Sequence, residues 1–257
     1  MQSICAYETN YLGSSSFCGL FTLQEWQGFE ASLDIEYYYD YSFGNPTGRA
    51  QGIGYVIELL SRLTMTPITS SNSSVNSTTD SNSTNFPLNQ KFYADFSHDD
   101  IIISVLTALS LDYFHQPVSL TQYPPDPNRP FILSHLTPFA AKFVTEVIGC
   151  GSSNPVPVSA ARTYSNPTQY GYNPNNATNK FIRMRLNNGI LPISTIRGGA
   201  CGSRPDGLCA LPNFIQSQSN AYTLSNYNYS CNGDYTIKNI TSMFDFDGTI
   251  NATTVQT

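Results

Sequence analysis

Apolar residues recur at helical spacing twice in the first quarter of the chain. Trp26, Phe29 and Leu33 follow Thr22-Leu-Gln-Glu25, where hydroxyl and carboxylate can each satisfy the other's backbone amide. A helix is predicted to open there, run to the Tyr37-Tyr38-Tyr39 cluster and stop at Gly44-Asn45-Pro46. Ile53, Val56, Ile57, Leu60 and Leu63 share one face of a second helix over 49–63. A polar run over 64–90 reads as an exposed loop. The apolar stretch 92–96 predicts a strand and 100–111 a helix, followed by Pro-rich connections over 115–129 and an extended piece over 131–134. Residues 138–149, anchored by Phe139, Phe143, Val144 and Val147, fit either a helix or a strand. Over 180–186, Ile182, Met184 and Leu186 alternate with Phe181, Arg183 and Arg185, the pattern of a half-buried strand. Asn187-Asn188-Gly189 then turns the chain into a hairpin over 190–193. Residues 151–179 form a second surface excursion, a short helix is predicted over 213–221, and the C-terminus reads as loose. There is no internal repeat, and the mixture is α/β.

Composition narrows the class. The 257 residues allow one large domain or two modest ones. Charged residues are 12% of the chain, about half the usual share, so neutral polar groups build most of the surface. Asn72, Asn76, Asn82, Asn176, Asn228, Asn239 and Asn251 each open an Asn-x-Ser/Thr sequon, which together with six cysteines predicts a secreted glycoprotein. Cys5/Cys18 and Cys201/Cys209 are close enough in sequence to staple local loops, while Cys150 and Cys231 either pair with each other or need partners elsewhere. The N-terminus MQSICAYETN has neither the basic nor the apolar region of a signal peptide, so the secretion signal is expected outside this chain. A net charge of −6 with scattered Lys and Arg argues against nucleic acid. No apolar run reaches membrane-spanning length.

Candidate chemistry concentrates at Ser97-His98-Asp99-Asp100, where the predicted strand meets the predicted helix. Asp99 or Ser97 can cap that helix, whose free first-turn amides favour an anion. His98 adds ring nitrogens able to contact a phosphate. A carboxylate beside phosphate charge is held in its acid form, and an acid beside a scissile P–O bond can protonate the departing alkoxide. Two plainer readings compete. The aspartates could cap the helix and nothing more, or Asp95, His98, Asp99 and Asp100 could hold a metal. The metal reading wants further histidines, and His115 and His135 both lie in Pro-rich loops. No cofactor is called for. The glycines of GNPTGRAQGIG lack a P-loop's Lys-Ser/Thr and are better read as close helix packing. Glu25 reads as a cap, and Tyr37–Tyr39 as packing rather than a carbohydrate platform.

FYADFSHDDIIISVLTALSL resembles the strand–His-Asp–helix segment of the branch-2 histidine acid phosphatases, the family of fungal phytases and yeast secreted acid phosphatases. FCGLFTLQEWQGFE, GNPTGRAQGIGYVIELLSRL, LTPFAAKFVTEVIGC and FIRMRLNNGILPI with the Cys201–Cys209 loop recur in the same order, so the likeness covers most of the chain. It implies an α/β core with an inserted helical domain, of which 1–43 would be the end, the core continuing over 44–257. It further implies that Asp99 is the proton donor, that His98 contacts the phosphate, and that Cys5–Cys18 and Cys201–Cys209 are bridges. Cys150 and Cys231 match cysteines whose partners would lie in a preceding half of the enzyme. The family's nucleophile is a histidine in Arg-His-Gly-x-Arg-x-Pro, a motif absent from these residues. Arg197-Gly-Gly-Ala-Cys-Gly-Ser-Arg-Pro205 is a faint likeness without the histidine. The chain is therefore expected to be the leaving-group half of the enzyme and inactive alone, its partner the N-terminal half and its substrate a small phosphate monoester such as an inositol phosphate. Asp100 departs from the family pattern, and a second carboxylate there would disfavour a highly phosphorylated substrate. The alternative is a secreted glycoprotein of this fold without catalysis.

Overall fold

The computed structural model describes residues 1–70, 73–157, 174–197, 199–239, 241–251 and 255–256. Helix α1 (Gln2–Leu12), which periodicity had not indicated, is tied back by the Cys5–Cys18 disulfide. Helix α2 (Leu23–Tyr41) opens on the expected capping box, with Glu25 N donating to the Thr22 hydroxyl and Thr22 N to the Glu25 carboxylate (2.7 Å). Those bonds hold the Glu25 carboxyl below its ordinary range, so it is a cap.

Helix α3 (Gly48–Thr64) packs against α5 (Asp99–Ala108), with the single turn α4 (Ser77–Asp80) between them in sequence. Close approach depends on glycine. A Cβ at Gly52 would overlap the Ser104 carbonyl of α5 and stand 2.7 Å from Val105 N; one at Gly48 would overlap the Ser42 carbonyl. Packing thus accounts for the Gly-rich run. Tyr38, Phe43, Ile53, Val56, Ile103, Leu106, Leu109 and Leu111 meet in one buried core with Ile182 and Met184 of the sheet.

The sheet is antiparallel. After α6 (Leu133–Leu136), strand β1 (Phe143–Cys150) pairs along its whole length with β2 (Asn179–Leu186), from Phe143↔Leu186 to Cys150↔Asn179. The short strands β3 (Gly189–Ile190) and β4 (Cys209–Ala210) both pair with β2, and the Cys201–Cys209 disulfide closes the loop into β4. Helices α7 (Leu211–Ser217), α8 (Ala221–Ser225) and α9 (Tyr227–Asn232) follow, the single helix expected over 213–221 being split.

Several expectations need correcting. Residues 92–96 form no strand and pair with no described strand, and Phe92 and Phe96 are exposed, the latter 98%. Alternation marks an extended segment, but a strand also needs a neighbour to take its backbone groups. What holds this segment is Arg62 of α3, which donates to both Asp95 carboxylate oxygens (2.5 and 3.0 Å) between the rings of Phe86 and Tyr93. Asp95 is thereby committed to a structural ion pair. The 64–90 loop is not wholly exposed, since Ile68 and Val75 are buried. The extended piece over 131–134 gives way to α6, whose Leu133 N donates to Asp34 of α2 (2.7 Å). Helix α5 ends at Ala108 because Ser110 takes a left-handed φ of 59°. Part of the 151–179 excursion lies outside the described residues.

The C-terminus is not loose either. Arg49, fully buried on α3, donates its backbone amide to Gly248 O (3.0 Å), Nε to Asp247 O (3.0 Å) and Nη1 to Thr107 O (3.0 Å), tying the last described loop onto the α3–α5 pair. Burial, then Arg197, pulls that guanidinium down to about 10. Nearby His115, stacked on Phe43 with ring centroids 4.8 Å apart, is also held below its ordinary range by burial, with Arg197 and Arg49 adding to the effect against Asp112 and Asp247. A histidine lowered in the fold is protonated first in the unfolded chain, so its contribution is lost as pH falls below about 6.5. Thermal unfolding followed against pH should show the midpoint dropping below about pH 6.5, with a shallower drop in His115→Gln. An unchanged slope would show that another group governs it.

Candidate active site

The site is built where α5 begins. His98 occupies the position before the helix in extended conformation (φ −113°, ψ 166°), and its side chain makes no capping hydrogen bond. Asp99 and Asp100 form the first turn, so neither Asp99 nor Ser97 is the cap. Instead each aspartate receives the next amide: Asp100 N donates to Asp99 Oδ1 (3.1 Å) and Ile101 N to Asp100 Oδ1 (2.9 Å). Two first-turn donors are thus already satisfied locally, and an anion arriving there has to compete with both. His98 and Asp99 are exposed, Asp100 half-buried.

The helix start is held in place from two sides. Behind it, the Gly52 contact fixes α5 against α3. In front, the Arg62–Asp95 pair holds the unpaired segment that leads to it. Across from it stands α2, itself clamped by Asp34, which is fully buried and takes Arg129 Nε (2.7 Å) and the Leu133 amide (2.7 Å), while Glu30 takes Arg129 Nη2 (3.0 Å). From α2, Tyr37 donates its hydroxyl to Asp99 Oδ2 (2.9 Å). Burial, and after it the bond to Asp99, pushes the Tyr37 phenol well above its ordinary range, so it stays a donor. The second face is therefore Tyr37 with Tyr41, their rings 5.2 Å apart. Sequence reasoning had placed Tyr37–Tyr39 together as packing. That holds for Tyr38, 1% exposed, whose hydroxyl donates to His115 O (2.8 Å), and Tyr37, half-buried, also packs against the core while its hydroxyl reaches Asp99. The i, i+4 spacing of Tyr37 and Tyr41 on one helix face was the available clue.

Among the described residues no group of three or more His, Cys, Asp or Glu side chains is disposed to hold a metal ion. A cleft of about 340 Å³ opens between α3 and the α7–α8 pair, lined by Ile53, Val56, Leu60, Ile215 and Tyr222, and takes in neither His98 nor Asp99. The sequon residues Asn76, Asn82, Asn176, Asn228, Asn239 and Asn251 are all exposed, and Asn72 lies outside the described residues. Cys150 and Cys231 are free and are not joined to each other.

The chain combines abundant helices with a small antiparallel sheet, and comparison with known proteins identifies this fold. The crystal structure of the phytase from D. castellii superposes on 90% of this chain and 39% of its own with a TM-score of 0.61 at 22% identity, a likeness of fold. The family model described as the histidine phosphatase superfamily (branch 2) matches residues 1–187, and the chain belongs to that family. It is similar to Phytase A of Aspergillus oryzae (38% identical over 156 residues, 58% of this chain and 33% of the relative) and to Phytase A of Aspergillus fumigatus (34% over 205 residues, 77% and 43%). The chain thus spans well under half the length of these relatives.

Proposed function

We propose that this chain contributes the leaving-group side of a phosphomonoesterase working at acidic pH, with Asp99 as proton donor and His98 as a contact to the phosphate. The observation that carries the reading is an accessible carboxyl on the first turn of α5, beside an uncommitted imidazole, in a chain of this family. In the reaction a nucleophilic histidine forms a P–N bond as the ester P–O bond breaks. The bonding pair goes to the departing oxygen, which takes the proton from Asp99 and leaves it a carboxylate. Water then attacks the phosphohistidine, and Asp99 accepts a proton from it, restoring the acid. These residues contain no Arg-His-Gly-x-Arg-x-Pro run, so in this reading the nucleophile comes from sequence beyond them and the chain alone turns over negligibly. Residues 1–43 then belong to a helical insert and 44–257 to the core. The exposed sequons and two disulfides support a secreted enzyme.

The phytase relatives make an inositol phosphate one candidate substrate. The test is release of inorganic phosphate from alkyl monoesters by the full-length protein that joins these residues to the nucleophilic histidine, over about pH 3 to 7, the range in which a carboxylic acid can act as donor. Monoesters should be cleaved and diesters spared. No release from any monoester would overturn the reading.

A further inference from the structure

We propose that Tyr37 is the positioning residue of the proton donor, holding the Asp99 carboxyl in place and stabilising the negative charge that appears on it as the proton leaves. The inference rests on the assignment of Asp99 as donor and extends it to a residue from a helix 62 positions away in sequence.

The geometry is specific. Asp99 Oδ1 is turned toward its own helix by the Asp100 amide (3.1 Å), and Oδ2 is fixed by the Tyr37 hydroxyl (2.9 Å). With both oxygens held, the carboxyl cannot rotate freely about its last bond. Exposed carboxylates otherwise sample several rotamers, and misorientation of an acid is costly to catalysis. Tyr37 itself is not free to wander. The adjacent Tyr38 is buried edge-to-face against Phe131 (5.4 Å) and bonded to His115 O, and Asp34 one turn earlier is locked by Arg129 and Leu133 N.

Charge strengthens the case. Tyr37 and Tyr41 are both pushed up in part by Asp99 and Asp100, and Tyr41 also by Asp40 and Glu36. The carboxylates acting on this tyrosine pair are Asp99 and its own-helix neighbour Asp100, with Glu36 and Asp40 of α2 acting on Tyr41, while His98 precedes the donor in sequence. In such surroundings a neutral phenol is the group that can meet a newly formed carboxylate without repelling it. A hydrogen bond to a charged acceptor is stronger than one to the neutral acid, so the phenol bonds Asp99 more tightly after proton transfer than before.

Two effects follow from removing the hydroxyl in Tyr37→Phe. With poor alkyl leaving groups, kcat should fall about 3- to 10-fold, as expected for one charge-assisted hydrogen bond, and with activated aryl esters it should fall less. Taking a donor away from the ionised form favours the acid form, so the basic limb of the kcat–pH profile should move to higher pH. A role in packing alone would lower both substrate classes together and leave the limb in place, and that result overturns the proposal. Asp99→Asn measured beside it separates the two levels. If Asp99→Asn steepens the leaving-group dependence while Tyr37→Phe moves nothing, the tyrosine assignment fails alone. If Asp99→Asn turns over alkyl esters normally, the donor assignment fails and takes this one with it.

Discussion

Replacing Asp99 with asparagine is expected to lower kcat on alkyl phosphate monoesters by about 10²- to 10⁴-fold, the usual worth of a positioned general acid. The substitution is nearly isosteric, and its amide oxygen can still receive the Tyr37 hydroxyl, so the start of α5 should survive. What it removes is the transferable proton. An alkoxide leaving group is strongly basic and needs that proton as the P–O bond breaks. An aryl oxide of low basicity can depart without it. The loss should therefore grow with leaving-group basicity, and a plot of log kcat against that basicity should steepen in the variant. Equal losses on alkyl and aryl esters would mean that Asp99 acts on folding or on phosphate binding. Asp100→Asn is the useful comparison, because Asp100 shares the helix turn but bonds its own Ile101 amide rather than Tyr37.

The second large effect is on stability. Gly52→Ala is expected to destabilise the protein by about 3 kcal/mol or more, at the upper end for overpacked sites. Helix propensity alone points the other way, since alanine exceeds glycine by about 1 kcal/mol inside a helix. Packing wins here because the new methyl would overlap the Ser104 carbonyl and crowd Val105 N, and backbone atoms cannot swing aside as a side-chain tip can. Relief requires α3 and α5 to separate, loosening the contacts of Ile53 and Val56 with Ile103 and Leu106 and carrying the start of α5 away from Tyr37. Gly28→Ala supplies the contrast. That glycine lies within α2, and its added methyl would meet the ring of Tyr123 at 3.0 Å, an exposed side chain held, among the described residues, only by its hydroxyl bond to Gln24 O (3.2 Å) and so able to give way. It should be neutral or stabilising by up to about 1 kcal/mol. Urea unfolding of both variants checks the pair, and a Gly52→Ala protein as stable as its parent would refute the close helix contact.

Much of the architecture was legible because its causes are local. The capping box at Thr22 and Glu25 needs four residues to be recognised, and it opens α2 as expected. The alternation that predicts β2 puts Ile182, Met184 and Leu186 inward, although Phe181 is buried as well because β4 and α7 cover that end. The Cys5–Cys18 and Cys201–Cys209 loops are short enough to close by themselves. His98 and Asp99 were also legible as a candidate site, through the change from extended to helical pattern at Ser97.

The misreadings share a cause. For 92–96 the apolar pattern predicted a strand but could not supply the partner that a strand needs. Tyr37 was grouped with Tyr38 because adjacent positions in a tyrosine run look alike, yet on a helix successive residues point about 100° apart. One therefore faces the core and the other Asp99. Arg49 stands at the start of the predicted second helix, and its burial follows from a C-terminal loop almost two hundred positions away that meets it with carbonyl groups.

The order of residues by itself determined α2 with its capping box, α3, the central strand, the local disulfide loops and membership of the histidine phosphatase family. Each of these depends on spacings of a few residues or on motifs in a fixed order. Tertiary structure alone decided that Tyr37 meets Asp99, that Arg62 pins the approach to His98, and that Arg49 is buried under the last loop. Those depend on which helix faces touch, and periodicity names a face without naming what lies opposite.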